Sequence, residues 1–165
     1  MKKIGFKKSQ ITNILKEKYS DDTILLIATA KDNVPSVRSV DTFYHDGSFW
    51  IVTDLSCSYV KEIQSNKHVM ISDGGHNRFW CNAEVAGHPL DEGNKAIREV
   101  FMKVFHNWYK EVNNEELKSV CYIKVTPHKG YVHKDKLGYS FNVSEDTVVI
   151  KDITHHIDVK LEPFW

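Results

Sequence analysis

Between Thr23 and Thr53 the chain reads as three short strand-like runs with a turn signal at each junction, and this pattern constrains the fold most. Thr23 to Ala30 is dense in β-branched and aliphatic residues. It is closed by Lys31-Asp32-Asn33 with Pro35 just beyond, the marks of a buried strand and a tight turn. Ser36 to Tyr44 alternates loosely, with Val37, Val40 and Phe43 among polar partners. Asp46-Gly47 is the strongest short hairpin signal, because the turn that matches strand twist needs positive φ at its centre. Phe49 to Thr53 then returns as the next strand. Connections this short join antiparallel neighbours, so the three runs predict a meander.

The rest of the chain continues in the same manner. Ser9 is placed to cap a short helix whose Ile11, Ile14, Leu15 and Tyr19 share one face. A second helix is expected over Ser58 to Ser65, started by Ser56 or Ser58, with Val60 and Ile63 inward. Lys67 to Ser72 predicts a strand, a glycine turn follows at Gly74-Gly75, and Arg78 to Gly87 alternates Phe79, Cys81, Ala83 and Val85 against Trp80, Asn82, Glu84 and Ala86. Asp91 is expected to cap a helix whose Ile97, Val100, Phe101, Val104, Phe105 and Trp108 recur at helical spacing. Ser119 to Thr126 and Lys129 to His133 predict two late strands, and Tyr139 to Val143 with Thr147 to Ile150 a final hairpin. The fold class is therefore mainly β (α+β). Residues 1–165 form one domain, a small closed or nearly closed barrel of six or so antiparallel strands with two to four flanking helices.

Composition narrows the function. Lys plus Arg is 22 and Asp plus Glu is 22, so the basic excess that phosphate-backbone binding requires is missing and nucleic acid is not an expected partner. The chain has no apolar run near the roughly 18 residues of a spanning helix. Its basic start, Lys2, Lys3, Lys7 and Lys8, is followed by Asn13, Lys16, Glu17 and Lys18 where a signal peptide would be apolar. The three cysteines, Cys57, Cys81 and Cys121, form no CxxC pair and no even framework. The expectation is a cytoplasmic protein without a membrane partner.

Candidate chemistry is sparse. Nine histidines include no HExxH, and the adjacent His155-His156 would point to opposite faces of a strand, so no metal site is expected. Cys81 and Cys121 lie in apolar strand-like runs and read as packing. One segment stands out: Thr53-Asp54-Leu55-Ser56-Cys57-Ser58-Tyr59-Val60-Lys61 leaves a strand and enters a helix. Its free amides, hydroxyls and lysine, with Arg38 on the preceding strand, suit an anion. The same residues also serve as an ordinary helix cap with surface charges. Trp80, Trp108, Phe49 and Trp50 are consistent both with a flat cofactor and with core packing. No Walker lysine loop or GxGxxG accompanies them.

The order of these pieces resembles the FMN-binding split-barrel proteins of the pyridoxamine 5′-phosphate oxidase-like superfamily, most of all the small general-stress-protein type. The matching stretches are Ile27-Ala28-Thr29-Ala30, Val34 to Val40, Asp46 to Asp54, Ser56 to Ile63, Asn66 to Val69 and Ala83 to Gly87. The resemblance implies a homodimer holding FMN at the subunit interface and acting on a small-molecule substrate. It implies Arg38, Ser39 and Val40 along the flavin and its ribityl chain, Thr53 and Asp54 beside the ring, and Ser56, Cys57, Ser58, Tyr59 and Lys61 as the phosphate loop. Trp80 or Trp108 would close the pocket from the partner subunit.

Two departures qualify what is implied. The family often carries Ser-x-Lys in the phosphate loop, and here Cys57 and Tyr59 stand at those places, leaving Lys61 or Arg38 to meet the charge. Lys151 to Trp165 lacks the arginines that receive substrate phosphate in true pyridoxamine phosphate oxidases. The resemblance thus implies an FMN-dependent oxidoreductase that is not a true pyridoxamine phosphate oxidase. The alternative is a non-catalytic flavin- or haem-binding protein on the same barrel.

Overall fold

The computed structural model describes residues 2–5 and 8–153. In chain order the elements are β1 (Lys2–Gly5), α1 (Lys8–Tyr19), β2 (Thr23–Lys31), β3 (Val34–His45), β4 (Ser48–Asp54), α2 (Ser58–Ser65), β5 (His68–Ser72), β6 (Arg78–Gly87), a 3₁₀ turn (Glu92–Asn94), α3 (Lys95–Val104), α4 (Tyr109–Val112), β7 (Val120–Lys134), β8 (Leu137–Asn142) and β9 (Thr147–Asp152). The strands run β7-β4-β3-β2-β5-β6, and β6 pairs back onto β7 to close a six-stranded antiparallel barrel. Beyond β7 the sheet continues through β8 and β9 to β1.

The meander expected from Thr23 to Thr53 is present as β2, β3 and β4. Both turns use paired positive φ, at Asp32 and Asn33 (51° and 64°) and at Asp46 and Gly47 (45° and 81°). These short acidic, amide and glycine residues tolerate that conformation, and it follows the strand twist.

Four expectations need correction. The two late strands are one continuous strand, β7. Its pairing with β6 slips between Trp80–Lys129 and Cys81–Pro127, and Pro127, which has no N–H to give a ladder, sits at the irregularity. The helix expected to reach Trp108 stops at Val104, and the chain turns before α4. Asp91 caps the 3₁₀ turn without a side-chain cap bond and instead accepts the His88 amide at 2.8 Å; Asn94 precedes α3. Ser9 lies inside α1 rather than at its cap, and His155-His156 fall outside the described residues.

The barrel interior is packed with Ile27, Phe49, Ile51, Ile71, Phe79, Ile123 and Val125, all essentially inaccessible. α1 plugs one end, with Tyr19 against Phe49 and Phe79. A second apolar cluster lies on the opposite face of the β3–β4–β7 wall, where Phe43 and Tyr122 meet Phe101 and Phe105 of α3 and the turn after it. Adjacent strand residues point to opposite faces, so Phe43 and Tyr44 serve different clusters. Phe101 stacks on Tyr122 with centroids 4.0 Å apart and planes 7° from parallel. Burying each such ring is worth about 1.5–3 kcal/mol, enough to dock a ten-residue helix.

Candidate functional site

Beyond Phe43–Trp50, where the β3–β4 pairing ends, β3, β4, α2 and the segment around α4 line a cavity of about 420 Å³. Its floor is β3 from Arg38 to Asp41 and β4 from Ile51 to Asp54. Tyr59 of α2 closes one side. Trp108, Asn113, Asn114 and Leu117 form the other. Of the residues singled out in the sequence, Arg38, Ser39, Val40, Thr53, Asp54, Tyr59 and Trp108 are brought together here. Ser56, Cys57, Ser58, Lys61 and Trp80 do not line the cavity of their own chain.

Arg38 is held by pairing. β2 and β3 place Thr29 opposite Ser36 and Ile27 opposite Arg38, so both hydroxyls and the guanidinium share the barrel-facing side. Arg38 Nη1 donates to Thr29 Oγ1 at 2.5 Å and Nη2 to Ser36 Oγ at 2.5 Å. Nη2 also reaches Glu62 Oε2 of α2 at 3.4 Å, and the guanidinium lies 5.1 Å from the Tyr59 ring centre. Glu62 Oε2 further accepts from Ser36 Oγ at 2.7 Å and from Thr29 Oγ1. The Thr29 and Ser36 hydroxyls, and then Arg38, hold the Glu62 carboxyl below its ordinary range.

The turn into α2 is organised by Asp54. Its Oδ1 accepts the Ser56 amide at 2.8 Å, its Oδ2 the Ser119 hydroxyl at 2.5 Å, and its carbonyl the Cys57 amide. Those hydroxyl and amide donors lower its pKa. The helix begins after Cys57, which supplies no side-chain cap bond; the expected caps, Ser56 and Ser58, lie exposed, as does Lys61. Tyr59 is buried, and burial pushes its phenol up to about 12. Thr53 Oγ1 lies 3.6 Å from the Cys57 sulfur.

Trp108 stacks on Phe105 at 4.4 Å, and its indole N–H donates to Asp22 at 3.0 Å. Trp80 is on the outward face of β6 with Lys129 5.3 Å above its ring. The structure adds a wall that sequence reasoning missed: Val112, Asn113, Asn114 and Leu117. The sequence signal was slight, two adjacent amides after Val112; in the structure Val112 and Leu117 stay 71% and 53% exposed. Among the described residues no three His, Cys, Asp or Glu side chains converge on a metal site, and no helix is long and apolar enough to cross a membrane.

No protein-family model matches the chain, and no curated protein matches it in sequence. Solved structures do match. General stress protein 26 of Bacillus anthracis aligns at 14% identity over 74% of this chain and 92% of its own, with a TM-score of 0.58. A FAD-binding protein of Mesorhizobium loti aligns at 15% identity over 79% and 96%, TM-score 0.56. A haem storage protein of Vibrio cholerae aligns at 10% identity over 75% and 91%, TM-score 0.55. The fold is the split barrel of the pyridoxamine 5′-phosphate oxidase-like type. Flavin-binding and haem-binding proteins share it.

The cavity matches the demands of a flavin unevenly. The lining combines apolar Val40, Ile51, Val52 and Val120 with Thr53, Asn113 and Asn114, which offer hydrogen bonds. The residues fit the ring and its polyol. At the phosphate end the lining holds a single cation, Arg38, against two carboxylates, Asp41 and Asp54.

Proposed function

We propose that the chain is an FMN-binding flavoprotein, an oxidoreductase acting on a small molecule, and that it works as a homodimer with the cofactor between subunits. The observation that carries this reading is the single cavity that gathers Arg38, Ser39 and Val40 of β3, Thr53 and Asp54 of β4, Tyr59 and Trp108. These are residues that the resemblance puts beside the flavin. FMN would supply hydride and electron transfer. The protein's part is to hold the ring against the apolar lining, to bond the polyol through Thr53 and Ser39, and to meet the phosphate with Arg38.

A dimer is supported by the outward face of the barrel. Val37, Ala28, Met70 and Trp80 are successive pairing partners across β3, β2, β5 and β6, so they form one row on one face. Ile24 and Val37 there are 67% and 64% exposed. A contiguous apolar face of this kind is characteristic of an interaction site. On this reading Trp80 belongs to the face between subunits, consistent with its absence from the cavity of its own chain.

A haem-holding protein is the second reading, favoured by Tyr59 at the place of the family's lysine. Haem iron needs an axial ligand, and no histidine lines this cavity. The phenol of Tyr59, raised by burial to about 12, is a poor substitute for one, so flavin is the better fit.

The test is the absorption spectrum of the purified protein before and after loading with FMN, with Arg38→Ala alongside and the mass measured by light scattering. The expected result is a retained flavin spectrum in a dimer, weakened in Arg38→Ala, which leaves the Glu62 carboxylate unpaired beside the phosphate. A Soret band selects the haem reading instead. A colourless monomer under both conditions refutes both.

A further inference from the structure

Both features that would draw a phosphate to this site already hold a carboxylate of the chain itself. Arg38 is engaged by Glu62 and by the two hydroxyls that also serve Glu62. In the turn before α2, the Ser56 amide is taken by Asp54. Glu62 lies beyond the first turn of α2, so its carboxylate is held by the hydroxyls and Arg38 rather than by the helix dipole. The Glu62 and Arg38 side chains are 18% and 23% exposed, so water screens their attraction only in part. An incoming phosphate would meet an arginine already neutralised, with a like charge directly behind it.

We infer that Glu62 is the resident counter-ion of Arg38 and determines how strongly the site distinguishes a phosphorylated ligand from its unphosphorylated counterpart. The inference rests on the flavin reading and makes it more specific. In the wild type the 5′-phosphate adds little to flavin affinity, because binding it means drawing Arg38 from Glu62 or bringing an anion close to Glu62. The ring and polyol contacts, which do not involve Glu62, are the same for FMN and riboflavin. Removing the carboxylate leaves Arg38 with its hydroxyl partners and one unneutralised charge, and the phosphate then gains a charge-assisted bond.

The experiment measures dissociation constants of FMN and riboflavin for the wild type, Glu62→Gln and Glu62→Ala by flavin fluorescence, with binding of inorganic phosphate followed by ³¹P line broadening. Glutamine keeps acceptors for Thr29 and Ser36; the alanine variant removes the charge independently should the glutamine one not fold. The expected result is FMN affinity raised about tenfold or more in the variants, the scale of one charge-assisted hydrogen bond, with riboflavin unchanged. Equal changes for both flavins, or no change in a wild type that binds FMN, overturn the inference. If no form binds either flavin, the flavin reading fails by itself and phosphate decides. Binding by the variants but not the wild type upholds the role of Glu62, and binding by neither overturns it.

Discussion

The hydroxyls of Tyr109 and Tyr122 meet 2.5 Å apart beneath α3, both rings buried. Tyr109 also donates to Glu115 at 2.8 Å, and Arg98 grips the same carboxylate with two bonds of 2.8 and 2.7 Å. This chain of bonds ties α3, α4 and β7 together directly behind Asn113 and Asn114, which line the cavity. Tyr109→Phe strips Glu115 of a donor and leaves the Tyr122 hydroxyl without that partner. It should cost about 1–3 kcal/mol, against about 1 kcal/mol for Tyr122→Phe. Urea unfolding of both single variants and the double variant checks this, and strict additivity of the two would mean that the hydroxyls do not interact.

Gly130 of β7 lies opposite Phe79 on one neighbouring strand and Phe141 on the other. A Cβ at Gly130 would stand 2.7 Å from both rings. The missing side chain is what lets Phe79 and Phe141 approach to 6.3 Å between centroids across β7. Gly130→Ala should destabilise the barrel by about 1–3 kcal/mol, the usual cost of overpacking. A thermal unfolding curve unchanged from wild type would show that the rings swing aside freely.

Alkaline pH should unfold the protein cooperatively. Burial raises the phenols of Tyr19, Tyr59 and Tyr122 to about 12 and also raises Tyr44 and Tyr109. Unfolded tyrosine ionises near about 10. Above that pH the unfolded chain binds fewer protons than the native one, so stability falls as pH rises. Tyrosinate absorbance should therefore show these phenols ionising together with loss of near-ultraviolet circular dichroism. Reversible ionisation of all of them in a folded protein near that pH would contradict the burial.

At the acid end the sign is the opposite. Glu62 is lowered by the hydroxyls of Thr29 and Ser36 and then by Arg38, and Glu115 by Arg98 first. Depressed carboxyl pKa values contribute stability above the unfolded value of about 4.3 and lose it as pH falls through the folded value. Stability of the wild type should drop below that pH more steeply than that of Glu62→Gln. Parallel curves from urea titrations at neutral and acid pH would show the Glu62 contacts to be energetically silent.

What could be read from the residues alone was whatever short-range physics decides. The Asp46-Gly47 turn, the alternation of Arg78–Gly87 and the helix over Ser58–Ser65 each follow from neighbours in sequence, and each has the bounds expected. Arg38 and Thr53 share the cavity lining, although β3 and β4 pair only from Phe43–Trp50 to the turn. Barrel closure by β6 on β7 depends on residues far apart in the chain, and only packing settled it. The same holds for the wall of Asn113 and Asn114, which faces the site because Phe101 and Tyr109 anchor the helices to Tyr122. Most of all it holds for Arg38. In the sequence it was a free cation beside a hydroxyl-rich loop; in three dimensions α2 brings Glu62 against it. A side chain's charge is written in the sequence, but its neutralisation depends on distance in space, and only the folded chain sets that distance.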